Sequence, residues 1–482
     1  MDRNPLRSAF SSRSLSLFAT AFLAACTVGP EFSSPDIIMP GSYRGDVSAS
    51  AESIADLPWW KVYRDSSLQA LIHDGLANNK DLAIAVSRVE QARQIANQTR
   101  SLALPSVGYS GGLSTGRNQS GGGAFFQDGD TKSDAVGLVN AAWEIDFWGR
   151  IRRLNEAELA RYLATDEARR GVIVSLIGDI AQTYYELLEL DLQKEISLST
   201  RDSFQESFDL FQTRVEGGLS SSLETARAQA AASQAAATVP DIERLIAQKE
   251  NLISVLVGKG PGPVKRSSGL GDGSDLLRVL PPGLPTALIR RRPDIRATEQ
   301  LLRAANAEIG VAIAEYYPKI GLTSVAGRIS PDLSNLVDSS GGVWSIAADI
   351  SGPIFDGGRR VAREAQVRAE WDEARLTHEK AVLVALGEVS DSLISRQKSA
   401  EARVEQERAI SSLKDAVDLA TDRYTAGSSS YFEILDTKLE LYPAELNLAR
   451  YRANQYLSVV ALYRSLGGGW SPKSISSAKA GL

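Results

Sequence analysis

Thiol, imidazole and thioether side chains carry most nucleophilic, metal-binding and redox chemistry, and this chain of 482 residues holds one cysteine, two histidines and two methionines. Cys26 stands alone, so it can join neither an internal disulfide nor a cysteine metal cluster. His73 and His378 lie far apart on predicted helices and read as ordinary surface positions. Met1 and Met39 give no support to a soft-metal relay lined by thioethers. Ser, His and Asp occur in no nucleophile-elbow setting, so no enzyme is expected. Gly121, Gly122 and Gly123, followed by Asp128 and Asp130, suggest a phosphate or calcium loop, but their spacing fits neither pattern and reads as a mobile loop.

The chemistry left to Cys26 is acylation. Arg3, Arg7 and Arg13 precede a short apolar stretch from Leu15 to Leu23, which marks a secretory signal over residues 1–25. Its end, Leu23, Ala24, Ala25 and Cys26, has small residues before a cysteine, a lipobox resembling that of bacterial lipoprotein signals. Cys26 is then expected to become the first mature residue, carrying covalent diacylglycerol and an N-acyl chain, with no other cofactor. Thr27 follows it where an aspartate would retain such a lipoprotein at the inner membrane, so the outer membrane is the expected address. A net charge of −6 spread along helices offers no basic field for nucleic acid. No apolar run of about 18 residues follows the signal, so any crossing of a membrane must be made by strands.

The positions needed to hold these groups repeat. Gly358, Arg423, Ser430 and Glu433 each stand 209 residues after Gly149, Arg214, Ser221 and Glu224, whereas Asp294 and Pro318 stand 213 after Asp81 and Pro105. The four-residue slip between Pro105 and Gly149 marks a loop. Residues 149–217 and 358–426 are predicted as two very long helices. Ile173, Leu176, Ile177, Ile180, Tyr184, Leu187 and Leu188 recur at steps of three and four, and Phe204, Phe208, Phe211 and Val215 continue the seam. Val382, Leu386, Val389, Leu393, Ile410, Leu413, Val417 and Tyr424 do the same in the second copy. At 1.5 Å per residue, a helix of about 69 residues extends on the order of 100 Å, which suits a rod or tube.

Each long helix is predicted to stop at a glycine and serine tip, 217–222 and 427–430, where glycine accepts a left-handed cap conformation. Ser221 with Glu224, and Ser430 with Glu433, are spaced as capping boxes for returning helices over about 222–257 and 430–466. Residues 65–103 and 284–315 have the periodicity to complete each layer, with Leu68, Leu71, Ile72 and Leu76, then Ala83, Val86, Val89 and Ala92 facing inward. After Pro105 the period changes to two. Val107, Tyr109 and Leu113 alternate with small polar residues, as do Val139, Ala141, Trp143 and Ile145, and Trp344, Ile346, Ala348 and Ile350. Strands are predicted at about 105–116, 135–146, 319–330 and 342–351. Four strands cannot close a barrel, and open edges are not tolerated in hydrocarbon, so several chains must share one.

Seven segments in order carry a resemblance that covers nearly the whole mature chain: VGPEF at 28–32, LPWWKVYRDSSLQALI at 57–72, NNKDLAIAVSRVEQAR at 78–93, WEIDFWGRIRR at 143–153, LPPGLPTALIRRRPDI at 280–295, RYTAGSSSYFEILDTK at 423–438 and LYRSLGGGW at 462–470. The chain resembles the TolC family of outer membrane factors, in its OprM- and NodT-like lipoprotein branch. The resemblance implies a mainly α fold with a transmembrane β-barrel: a homotrimer with a twelve-stranded barrel in outer membrane lipid, four strands per chain, above a long periplasmic α-helical tunnel with an equatorial belt. A first repeat over 26–257, a Gly- and Pro-rich linker over 258–283 near the belt, a second repeat over 284–470 and a flexible tail over 471–482 complete the expected layout.

The resemblance also implies a passive exit duct for a tripartite efflux pump, with a periplasmic membrane-fusion adaptor and an inner-membrane RND transporter as partners. Carried over by motif position, the periplasmic gate falls on Glu433 and Asp436, one turn apart on one helix face, with Tyr424 in the closing contact. Ser429 stands where the family often has an arginine, so a different contact would hold the tips shut. The first-repeat counterpart of Asp436 is Arg227, so capping does not explain an acid there. The adaptor is expected to dock on the tips at Gly218, Leu219, Ser221, Gly427 and Ser429. Protein secretion and heavy-metal efflux are alternative duties of such a duct, and a lipid-anchored periplasmic scaffold is the reading from another class. The scaffold leaves the alternating strands unexplained.

Overall fold

A computed structural model describes residues 27–45, 53–117, 131–218, 221–266, 269–271, 281–331, 333–336 and 341–469. The signal, Cys26, the loop residues 121–123, 128 and 130, Leu219, part of the linker and the tail lie outside the described residues. Two compact units divide the chain: Met1–Pro35 with Val89–Thr165 and Thr298–His378, and Asp36–Arg88 with Asp166–Ala297 and Glu379–Leu482.

The repeat is a repeat of element lengths. Helix α1, Ser66–Asn78, is followed by α2, Lys80–Ser101, of 22 residues; strand β1, Ser106–Arg117, of 12; and β2, Thr131–Ile145. The long helix α3, Arg150–Glu216, spans 67 residues, and the returning α4, Ser222–Leu256, spans 35. The second half runs α5, Pro293–Ala314, of 22; β3, Lys319–Ser330, of 12; β4, Gly342–Ser351; α6, Arg359–Thr425, of 67; and α7, Tyr431–Ser465, of 35. Left-handed glycines repeat with them: Gly149 and Gly358 before the long helices, Gly218 and Gly427 at the tips, and Gly258 and Gly467 after the returning helices.

Residues 65–103 do not form one helix. Asn79 is extended, with φ −60° and ψ 132°, and breaks the run into α1 and α2. Its side-chain oxygen accepts from Leu82 N at 2.8 Å, so the residue that stops α1 caps α2. In the second half, residues 285–287 and 288–291 form short turns and α5 begins only at Pro293, where the missing N–H costs nothing. The inward face of α2 keeps Val89 and Ala92 of the expected stripe but is one residue away from it over the first turns. Ala85 is buried and Leu82, Val89 and Ala92 are half-buried, whereas Ala83 and Val86 are exposed. Ala83 and Val86 are apolar without belonging to the seam that α2 makes within its own chain.

In the first unit the four strands form one antiparallel sheet in the order β1-β2-β3-β4. Ser106 pairs with Ala142 and Lys319 pairs with Ser351, so β1 to β3 is a step of 213 and β2 to β4 a step of 209. The four-residue slip therefore lies between Thr115 and Ser133, the pair that matches Arg328 and Gly342, where β1 and β2 add two further pairs, Gly116 with Lys132 and Arg117 with Thr131. Register puts Tyr109, Val139, Ala326 and Trp344 in one row and Val107, Ala141, Ser324 and Ile346 in the next, which makes one face apolar. The sheet hands over to the helices through acids: Asp146 accepts from Ile151 N and Arg152 N at 3.0 and 2.9 Å, and Asp356 accepts from Gly358 N at 3.2 Å. Residues 27–34 lie against the same unit, with Arg153 donating to the carbonyls of Val28 and Gly29. His378 is 1% exposed and shares a 3.0 Å hydrogen bond with Thr298 through Nδ1. The expected surface position is wrong for this histidine, because an imidazole with a hydroxyl partner is buried at small cost. His73 is exposed, edge-on to Trp59.

In the second unit the predicted seams are buried or half-buried. Ile173, Ile177, Ile180, Tyr184, Leu187 and Leu188 of α3 pack with Leu68 and Ile72 of α1, Val382 and Val389 of α6, and Val459 and Leu462 of α7. Two of the buried tyrosines there have their hydroxyls tied: Tyr184 donates to Asp65 Oδ2 at 3.0 Å and Tyr463 donates to the carbonyl of Leu57 at 2.7 Å. Among the described residues no helix is long and apolar enough to cross a membrane.

Candidate functional site

The hairpin tips belong to the second unit and are held by a small core of their own. Phe204 and Phe211 of α3, Ala228, Ala231, Ala232 and Ala235 of α4, Ala420 of α6, and Tyr431, Ile434 and Leu435 of α7 form it. The alanine row on α4 lets the helices approach, and aromatic rings fill the space: Phe211 meets Tyr431 edge-on with centroids 4.3 Å apart. Further along, the Tyr442 hydroxyl lies 2.9 Å from Ser197 Oγ and 3.0 Å from Thr238 Oγ1, tying α7 to α3 and α4. Lys438 Nζ donates to Ser203 Oγ at 2.7 Å; burial pushes its pKa down, against the charge of Glu206.

The second tip turns as a Schellman motif. Gly427 N donates to the Tyr424 carbonyl at 3.0 Å and Ser428 N to that of Arg423 at 2.9 Å, with φ +74° at Gly427. Gly218, at φ +71°, donates to Val215 in the same way. Beyond the turns the two tips differ. Ser221 accepts from Leu223 N at 3.1 Å while Glu224 Oε2 accepts from Ser221 N at 3.2 Å, so the first capping box forms. The second does not: Ser430 makes no side-chain cap, and Glu433 Oε1 lies 3.6 Å from Arg423 Nη2. Glu433 therefore faces a guanidinium across the turn rather than the backbone N–H of Ser430. Arg214, the first-half counterpart of Arg423, is placed over the Tyr424 ring at 5.3 Å instead.

Tyr424 thus joins both hairpins, since its ring also meets Tyr431 at 5.7 Å. Asp436 is exposed and makes no ion pair with any described residue, whereas its counterpart Arg227 lies 5.0 Å over the Phe432 ring. Glu433 and Asp436 therefore differ in kind: one carboxylate is partly neutralised within the chain and the other is not. Gly218, Ser221 and Gly427 are exposed, and Ser429 is half-buried with its Oγ covered and unpartnered among the described residues. The arginines and Tyr431 were missed as tip residues, although a basic residue in the last turn before a tip glycine, as at Arg214 and Arg423, is a recognisable signal. No group of three or more His, Cys, Asp or Glu that could hold a metal occurs among the described residues.

The sequence model of the outer membrane efflux protein family matches residues 71–259 and, a second time, residues 284–468. The chain belongs to the outer membrane efflux protein family. It is 34% identical over 471 residues to the solvent efflux pump outer membrane protein SrpC of Pseudomonas putida, covering 95% of this chain and 98% of that one. The cation efflux system protein CusC of Escherichia coli O6:H1 is 30% identical, over 93% of this chain and 96% of its own. Among solved structures, the outer-membrane channel OprN superposes with a TM-score of 0.86 at 31% identity, over 93% of this chain and all of that one. The two matched segments coincide with the two structural repeats. The efflux protein described above is an outer membrane channel, and its mainly helical fold with one four-stranded sheet is that of its relatives.

Proposed function

We propose that three copies of this chain assemble into one passive exit duct, with twelve strands closing a barrel in outer membrane lipid and the helices forming a periplasmic tunnel. One observation carries this: an antiparallel sheet of four strands with an apolar face and two open edges, β1 and β4. In hydrocarbon each unpaired backbone group costs several kcal/mol, so such a sheet persists only when closed by further copies. The driving force for transport then comes from partners, a periplasmic membrane-fusion adaptor docking on the tips around Gly218, Leu219, Ser221, Gly427 and Ser429 and an inner-membrane RND transporter behind it. Tyr424, Glu433 and Asp436 act as the gate at the tips. Acylation at Cys26 anchors the chain to the outer membrane. The cargo is small organic compounds, in keeping with the solvent efflux relative at 34% identity. Light scattering of the detergent-purified protein is expected to give three copies per particle, and a deletion strain is expected to become sensitive to organic solvents. A single copy per particle, or unchanged sensitivity, contradicts the respective part. Radiolabelled palmitate is expected to enter the wild type and not Cys26→Ser.

A further inference from the structure

Two apolar cores lie along the helices of the second unit, and a gap separates them. On α3 the buried members of the larger core end at Leu188 and those of the tip core begin at Phe204; on α7 the limits are Ala453 and Leu435. Inside the gap the two hairpins meet through polar side chains. Lys438 Nζ donates to Ser203 Oγ at 2.7 Å, and the Tyr442 hydroxyl lies 2.9 Å from Ser197 Oγ and 3.0 Å from Thr238 Oγ1. Each hairpin is also tied to itself at this level. Lys194 pairs with Glu243 at 2.7 Å in the first, and in the second Gln406 donates to the carbonyl of Ala444 at 2.9 Å and Lys414 pairs with Glu445 at 3.1 Å.

Both returning helices carry a proline in the same gap, Pro240 in α4, two residues from Thr238, and Pro443 in α7, next to Tyr442. Neither is a copy of the other, since the residue 209 positions before Pro443 is Gln234. A proline inside a helix has no N–H for the carbonyl four residues back, here Ala236 and Leu439, so each helix bends there at less cost than elsewhere. We propose that the second hairpin swings about a hinge at Pro443, opposite Pro240, and that Tyr442 is a positioning residue whose hydroxyl latches that hinge against the first hairpin. This rests on the reading of Tyr424, Glu433 and Asp436 as the gate at the tips.

The latch releases without leaving Ser197 or Thr238 unpaired. Ser197 Oγ donates to the carbonyl of Gln193 at 2.7 Å and Thr238 Oγ1 to that of Ala235 at 2.7 Å, so both keep a partner in their own helix when Tyr442 withdraws. The Tyr442 hydroxyl and the Lys438 ammonium then pass to water, which exchanges hydrogen bonds at small net cost. Parting the two hairpins through the larger core would instead expose the aliphatic side chains packed there, and that cost grows with every side chain uncovered. The gap is therefore where a swing of one hairpin against the other is cheapest, and the prolines stand in it.

Recordings of the full-length protein in planar bilayers give the ratio of open to closed time. Tyr442→Phe is expected to raise it about fivefold, the equivalent of one hydrogen bond. Ser197→Ala combined with Thr238→Val is expected to raise it to the same extent, and adding Tyr442→Phe to that pair should change nothing further, a coupling that general loosening does not produce. Pro443→Ala, which restores the missing N–H, is expected to lower the ratio. Additive effects of Tyr442→Phe and the pair would overturn the latch, and an unchanged or raised ratio in Pro443→Ala would overturn the hinge. Tyr424→Ala separates latch from gate. If it raises the ratio while Tyr442→Phe does not, the gate stands and the latch falls; if neither variant moves the ratio, the gate reading falls and the latch with it.

Discussion

Asn79 donates its side-chain amide to the carbonyl oxygen of Leu256, the last residue of α4, at 2.9 Å. The second half solves the same problem with a different residue. Arg292, 213 positions later, donates to the carbonyl of Ser465, the last residue of α7, at 2.8 Å. The final carbonyls of a helix have no partner within it, and both halves satisfy one of them from the residue that precedes the next helix. Arg292 also holds Asp294 at 2.7 Å and Glu388 at 2.6 Å, so the copied contact has gained two charges.

Arg292→Met should therefore cost about 1–3 kcal/mol, because it strips a buried carbonyl and two carboxylates of their donor. Burial alone would raise the Asp294 carboxyl, yet the hydrogen bonds and charge of Arg292 outweigh it and hold the group below the ordinary aspartate range. A depressed carboxyl contributes stability that is present above its unfolded value, about 3.9, and lost as pH falls through the folded one. Thermal melts in detergent should show the variant less stable at neutral pH, with the gap narrowing below about pH 4. A constant gap would remove Asp294 from the explanation.

At the tip, Asp436→Asn should weaken cation selectivity more than Glu433→Gln. Arg423 already offsets the Glu433 charge at 3.6 Å, and an exposed pair of this kind is worth about 0–1 kcal/mol. Reversal potentials under a salt gradient measure this directly. Equal effects would mean that Arg423 does not offset Glu433, and none from Asp436→Asn would take that carboxylate out of the conduction path.

Tyr442→Phe removes one hydroxyl that two helices share, and at about 1 kcal/mol per hydrogen bond it should lower stability by about 1–2 kcal/mol. Limited proteolysis of the tips should accelerate in the variant, and an unchanged rate would mean that Ser197 and Thr238 do not depend on it.

Bulky substitutions at Ser221 and Ser429 should reduce site-specific crosslinking to a periplasmic adaptor while leaving the trimer intact. Both lie at tips where the chain turns at left-handed glycines. Intact crosslinking would move the docking surface elsewhere on the chain.

Much of this architecture was legible because period and punctuation survive duplication. Repeated glycines and a constant offset located the long helices to within one residue at either end, and alternation marked β1, β2 and β4. What stayed hidden depends on choices between competing partners. Ser430 and Glu433 have the spacing of a capping box, but spacing does not reveal that the glutamate turns to Arg423 instead. Asn79 reads as a tolerable helix residue until its amide is seen to bind Leu256, which breaks the helix. His378 is polar by type, and its bond to Thr298 helps to explain its burial. The apolar Ala83 and Val86 misdirect a single-chain reading, since periodicity does not distinguish a seam within a chain from a face left open by it. Tyr424 was placed at the tip from the motif, while the Arg214 and Tyr431 contacts that fix its ring come from two other helices.

Single-channel recording of the purified protein in a planar lipid bilayer tests the central claim most directly. Three copies enclosing one water-filled path should give a single uniform conductance, cation-selective and reduced in selectivity by Asp436→Asn. A bilayer that stays electrically silent with trimeric protein inserted would contradict it.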